Sequence, residues 1–222
     1  MGGESVPVMK RFLLCLLLFV VHTAHAEDVE AQNSNPEVLI KTNLGDIVVE
    51  LYESEAPITV ANFLALVESD AYKDTIFHSV LAGFMVQAGG HYLDLSEAPE
   101  VENIFNEAAN GLKNRRGTLA MARQNEIDSA SRQFFINVVD NDYLDHDAKK
   151  SCTREDEASV LAAAEKGLRK PMRCKSFGYA VFGEVTEGMD VVDLIELSET
   201  QSISVFDDVP VTPVVILSME RR

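Results

Sequence analysis

The side chains best suited to covalent or metal chemistry are few, and their spacing argues against most of it. Beyond the first 26 residues the histidines are His78, His91 and His146. Their separations match none of the metal-binding patterns, in which ligands recur at short fixed intervals. Ser79 follows His78 directly, but neighbours on a strand point to opposite sides. No serine, base and acid arrangement can therefore be built from this pair. Cys152 and Cys174 are the cysteines left once Cys15, inside an N-terminal apolar run, is set aside. In an oxidising compartment two cysteines suggest one disulfide, with two unpaired buried thiols as the alternative.

The elements that would position these groups read as mostly β. Val38-Leu39-Ile40, a turn at Thr42–Asp46 and Ile47–Tyr52 predict a hairpin, with Gly45 in the turn. Pro57 suits a first helical position. Val60, Phe63, Leu64 and Val67 then recur at helical spacing and predict one apolar face. Short strands are expected at Ile76–Val80, Met85–Gly89, Gly117–Ala122, Gln133–Val138 and Tyr179–Val185, and a last one at Val211–Leu217. A second helix follows Gly188, with Met189, Val192 and Ile195 inward. Many short strands between glycine turns point to a sandwich or closed barrel, here plugged by a helix at each opening. Asp147–Ser176 breaks the strand rhythm. It is highly charged and carries a helical stretch, Glu155–Lys166, started at Thr153 or Arg154 and ended by Gly167, between the two cysteines. A structured insertion closed by a disulfide is the reading preferred over a disordered loop.

The N-terminus reads as an export signal. Lys10-Arg11 precede an unbroken apolar run from Phe12 to Val21 and a small-x-small site at Ala24-His25-Ala26. The run is short for a membrane span, so cleavage after Ala26 and a periplasmic mature protein are expected. Residues 27–36 are polar and read as a flexible tail, leaving one domain over 37–219. The 222 residues carry a net charge of -17, which disfavours nucleic acid as a partner and serves solubility.

Four segments carry the specific signal: Phe77–Gly90 (FHSVLAGFMVQAGG), Gly117–Arg123 (GTLAMAR), Ser131–Asn137 (SRQFFIN) and Phe177–Val185 (FGYAVFGEV). Their order and spacing resemble the cyclophilin-type peptidyl-prolyl cis-trans isomerases, closest to the bacterial branch. The resemblance implies a closed eight-stranded antiparallel β-barrel capped by two α-helices, with 147–176 as an insertion. It further implies a peptide groove on the barrel's outer surface, no cofactor or metal, and proline-containing segments of exported polypeptides as partners of a monomer. By the same resemblance Phe84, Met85, Phe135 and Leu144 form the proline pocket. Gln87 and Gln133 steady the peptide backbone, Ala122 and Arg123 line the groove, and Tyr143 and Tyr179 stand nearby.

One position departs from the family's pattern. The catalytic arginine stands directly after Phe-His, where this chain has Ser79. A serine offers one neutral hydroxyl on a short stem in place of five donors and a permanent charge. Two functions follow: an isomerase of reduced activity, with Arg123 as the substitute donor, or a non-catalytic binder or chaperone for proline-containing segments. Arg132, next to Gln133, should point the other way. The insertion, placed between Leu144 and Tyr179, is expected beside the groove.

Overall fold

The computed structural model describes residues 1–4, 35–149, 152–167 and 174–222. The expected signal segment and most of the expected tail lie outside them. The barrel unit spans Ser34–Arg222; of the preceding unit, Met1–Asn33, residues 1–4 are described and carry no helix or strand.

Ten strands and three α-helices are described. Strands β1 (Glu37–Thr42) and β2 (Gly45–Leu51) form the predicted hairpin. Helix α1 (Pro57–Glu68) follows, then β3 (Thr75–Leu81), β4 (Met85–Tyr92), β5 (Thr118–Met121) and β6 (Phe134–Asn137). Helix α2 (Arg154–Glu165) lies in the insertion, and β7 (Val181–Glu187) and α3 (Met189–Glu196) return to the barrel. The chain ends with β8 (Thr200–Ile203), β9 (Phe206–Pro210) and β10 (Ile216–Arg221).

Eight strands form one antiparallel sheet in the order β10-β1-β2-β7-β5-β6-β4-β3. Its edges meet through an Ile76–Val215 bridge and through the Asp74 and Phe77 N–H groups, which donate to the carbonyls of Ile216 and Val214, both at 2.9 Å. The barrel is thus nearly closed, and little strand edge is left bare. Inside it, Val86, Ala88, Phe134, Ile136, Leu119, Met121 and Phe182 pack against Val60, Phe63, Leu64 and Val67 of α1, the face read from helical spacing. Helix α1 starts on Pro57 with no side-chain cap of its own. The Glu107 carboxylate accepts the orphan N–H groups of Ile58 and Thr59 at 3.2 and 2.8 Å, so a distant acid performs the capping.

Three expectations need correction. The last strand starts at Ile216 and not at Val211, because Pro210 ends β9, Pro213 has no N–H to give a ladder, and Val214-Val215 bond instead to the barrel seam and to Asn43. The stretch before it holds an unforeseen hairpin, β8–β9, which packs against β3. The domain edges also move outward. Pro36 accepts the Leu51 N–H at 2.8 Å and Asn35 donates to Glu50 at 2.7 Å, while β10 continues to Arg221.

Candidate functional site

The strands that seal the interior also build a second apolar cluster on the opposite face. Side chains alternate across a strand. On β6, Phe134 and Ile136 go inward and Phe135 goes out. On β4, Val86 and Ala88 go inward and Met85 goes out. Phe135 and Met85 meet Ala120, Leu144 and Val181 there, with Phe84, Ala122 and Tyr179 packed against them. The result is an open notch of about 160 Å³ lined by Phe84, Met85, Gln87, Ala122, Arg123, Phe135, Leu144 and Tyr179. Its volume suits a small ring and falls short of a drug-sized cavity. Eight of the eleven side chains expected at the groove therefore converge.

The other three lie at its margins. Gln133 lines an adjoining polar cavity of about 260 Å³ with Gln87, Gln124, Ser129 and Ser131. Its Oε1 accepts a 2.7 Å bond from Gln87 Nε2, so the two amides form one unit. Gly90 makes this possible: a Cβ there would fall 2.4 Å from the Gln133 side chain. Tyr143 is 72% exposed and reaches the site only by stacking on Phe84, ring centroids 5.8 Å apart.

Ser79 lies directly across the ladder from Gln87. Phe77 and Val80 both face the interior, which strict alternation forbids. A bulge resolves this: Phe77 pairs with Ala88 and Ser79 with Gln87, leaving His78 as the extra residue. Paired residues share a face, so Ser79 stands on the groove side. Its short stem leaves it outside the lining of the notch.

Bulged His78 is buried beside His91, with ring centroids 4.5 Å apart, and both Nδ1 atoms lack a hydrogen-bond partner. Burial, reinforced by His91, holds the His78 imidazole down to about 4. Burial lowers His91 as well, against the opposing charge of Glu97. Phe206 of β9 covers His91 edge-on at 4.8 Å. His146 lies elsewhere, with its Nδ1 2.8 Å from the Phe177 carbonyl.

Two arginines flank the site, and hydrogen bonds from both guanidinium groups run to main-chain carbonyls. Arg132 is buried and directs Nε, Nη1 and Nη2 to the carbonyls of Gly89, Pro99 and Ala71, away from the groove as expected. Arg123 walls the notch with its guanidinium 4.8 Å from the Tyr179 ring. Its Nε donates to the Gly178 carbonyl at 3.0 Å, Nη2 to Cys174 at 2.9 Å and Nη1 to Gln124 at 3.1 Å. These bonds turn the donors toward the exit of the insertion.

The described part of the insertion carries a helix and a disulfide. Thr153 caps α2 through a full capping box with Asp156, and Gly167 follows the helix at positive φ. Cys152 and Cys174 are bonded to each other, Cα atoms 5.7 Å apart, and Cys174 is fully buried beside Ile127 and Phe177. The Gln124, Ser129 and Ser131 lining and the contacts of α2 with the 123–131 loop were not foreseen. Loop residues carry no periodicity from which to read them.

The comparisons agree with the fold. Residues 37–221 match the family model described as cyclophilin type peptidyl-prolyl cis-trans isomerase. Peptidyl-prolyl cis-trans isomerase A of Dickeya dadantii is 40% identical over 94% of this chain and 96% of its own length. Peptidyl-prolyl cis-trans isomerase B of Escherichia coli is 42% identical over 82% of this chain and 97% of its own. A cyclophilin-type isomerase structure from Cryptosporidium parvum, solved in the presence of the dipeptide Ala-Pro, matches at TM-score 0.57 and 24% identity, over 84% of this chain and 98% of its own. That last likeness speaks for the fold alone. Fold and sequence agree over the whole barrel: the chain belongs to the cyclophilin-type peptidyl-prolyl cis-trans isomerases.

Proposed function

We propose that this isomerase acts on X-Pro bonds of exported polypeptides in the periplasm, and that Ser79 leaves it with reduced turnover. The observation that carries the reading is the notch itself: Phe84, Met85 and Phe135 gather outside the barrel core, at an opening a proline ring can enter. An X-Pro amide resists rotation by roughly 18–20 kcal/mol because of its partial double bond. No covalent bond need break, so a catalyst has only to hold the twisted amide better than either planar form. In this reading the notch takes the pyrrolidine ring, and the paired amides of Gln87 and Gln133 fix the flanking backbone. A donor aimed at the proline nitrogen would complete the site as that nitrogen loses resonance. The hydroxyl of Ser79 is short and neutral, and charge-assisted bonds are about twice as strong as neutral ones.

A second reading, a non-catalytic binder or chaperone for proline-containing segments, draws support from Arg123, whose donors are committed to main-chain carbonyls. An isomerisation assay on a short Ala-Pro peptide, run on the wild type and on Ser79→Arg, separates the two. If ~3 kcal/mol of transition-state stabilisation is missing, the variant gains about two powers of ten in rate at unchanged peptide affinity. Measurable wild-type turnover with this gain supports the impaired enzyme, and turnover in the variant alone supports the binder. Full wild-type activity with no gain in the variant overturns the weight placed on Ser79. The periplasmic assignment stands or falls with cell fractionation and N-terminal sequencing of the mature chain.

A further inference from the structure

The wall of the groove is a loop, and the insertion holds it. Between Met121 and Phe134 the chain forms neither helix nor strand, and its one ladder contact is the Ala130–Ile104 bridge. This stretch nevertheless supplies Ala122, Arg123, Gln124, Ser129, Ser131 and Gln133 to the notch and the adjoining cavity. Asn62, Tyr72 and Asn106 of the barrel side bond to its carbonyls, and further partners come from the insertion. The Ile127 N–H donates to the Glu157 carboxylate at 2.7 Å. The Asp128 carboxylate accepts a two-pronged contact from Arg154, Nε at 2.9 Å and Nη2 at 2.7 Å, and also the Asn106 N–H at 2.8 Å. Asn125 accepts the Cys174 N–H at 3.2 Å, and Arg123 returns a bond to the Cys174 carbonyl. The fully buried Ile127 packs with Cys174 and Phe177, and the Arg154 guanidinium lies 3.8 Å from the Phe105 ring centre and 4.7 Å from that of Phe177.

These contacts spread over both ends of one closed unit. Arg154 and Glu157 belong to the first turn of α2, and Cys174 is tied to Cys152 just before that turn. We propose that α2, fastened at its base by the Cys152–Cys174 bond, is a brace that presets the groove wall, with Arg154 and Glu157 as positioning residues for peptide binding. Fixing a residue's backbone costs conformational entropy. A wall ordered during folding spares the peptide that cost when it binds. The brace rests on the reading of the notch as a peptide groove, and it adds that a segment outside the four shared motifs tunes that groove from behind.

The test compares the full-length oxidised wild type with Arg154→Ala, Arg154→Lys and the double variant Cys152→Ser/Cys174→Ser. Three quantities are read: amide hydrogen exchange over residues 124–131, calorimetric affinity for a short Ala-Pro peptide, and the thermal unfolding midpoint. In Arg154→Ala the wall amides exchange about tenfold faster, and peptide affinity falls about threefold to tenfold. Arg154→Lys, which replaces a fork by a single point contact, falls between. The double variant follows Arg154→Ala; should it fail to fold, the two Arg154 variants carry the test. Wall exchange at the wild-type rate in Arg154→Ala overturns the brace. Faster exchange or a lower midpoint at unchanged affinity reduces it to a structural contact and overturns its role in binding. Wild-type protein that binds no Ala-Pro peptide sinks the groove reading, and the exchange data then still decide whether the insertion orders the wall.

Discussion

Phe134 and Phe135 are neighbours in the chain and belong to different parts of the molecule. Phe134 is sealed among Phe63, Tyr72 and Ile136 inside the barrel. Phe135 is almost as well covered, at 3% exposure, yet it belongs to the outer cluster and edges onto Tyr179 with ring centroids 5.8 Å apart. Burial fraction alone would assign both to the core. What separates them is the side of the sheet, and so which residues lie beyond: a capping helix in one case, an opening in the other. A buried aromatic is thus a candidate for binding when its cluster is distinct from the main core.

Truncating each ring in turn is the severest challenge to that distinction. Phe134→Ala should cost about 3–5 kcal/mol of stability in denaturant unfolding, the usual price of emptying a core aromatic. Its effect on Ala-Pro affinity should be small for the fraction that remains folded. Phe135→Ala should cost less stability and remove peptide binding. Equal losses in both assays would erase the difference between the two faces.

His78, at the bulge between the faces, gives the next largest effect. Its imidazole titrates near 4 when folded, against 6.5 for the exposed group. Between those values the unfolded chain takes up a proton that the folded chain refuses. Stability therefore falls as pH drops from about 6.5 to about 4 and levels off below, a loss of up to ~3 kcal/mol. Unfolding curves at several pH values test this, and His78→Asn should flatten the profile. A wild-type profile without slope in that window would show that the histidines are not held neutral.

Gly90→Ala is the gentlest probe. The added methyl collides with the Gln133 side chain and pushes its amide off Gln87. Peptide affinity should drop about threefold for one weakened neutral hydrogen bond, measured by calorimetry, while core packing is untouched. A drop in stability without a drop in affinity would place this amide pair with the core.

The features read from sequence are those written in periodicity or in a local motif. The α1 face is written in the spacing of Val60, Phe63, Leu64 and Val67, and the notch in the Phe84-Met85 and Phe135 motifs. The β8–β9 hairpin was missed because Gln201, Ser202, Asp207 and Asp208 give its short strands no apolar alternation. The bulge was missed because nothing in Phe77-His78-Ser79 announces an extra residue; it emerges only when β3 is paired with β4. The grip of Arg154 on Asp128 spans 26 positions, and a charged residue opening a charged helix reads most simply as solvated surface.

The extra residue in β3 also bears on how the donor could return. In a regular strand, position 79 would share the inward side of Phe77, where a guanidinium would be stranded among hydrocarbon. The skipped register turns position 79 to the groove, beside an amide and near water. A cation introduced there meets solvent and a hydrogen-bonding neighbour instead of a desolvation penalty, so the barrel can accept it without repacking.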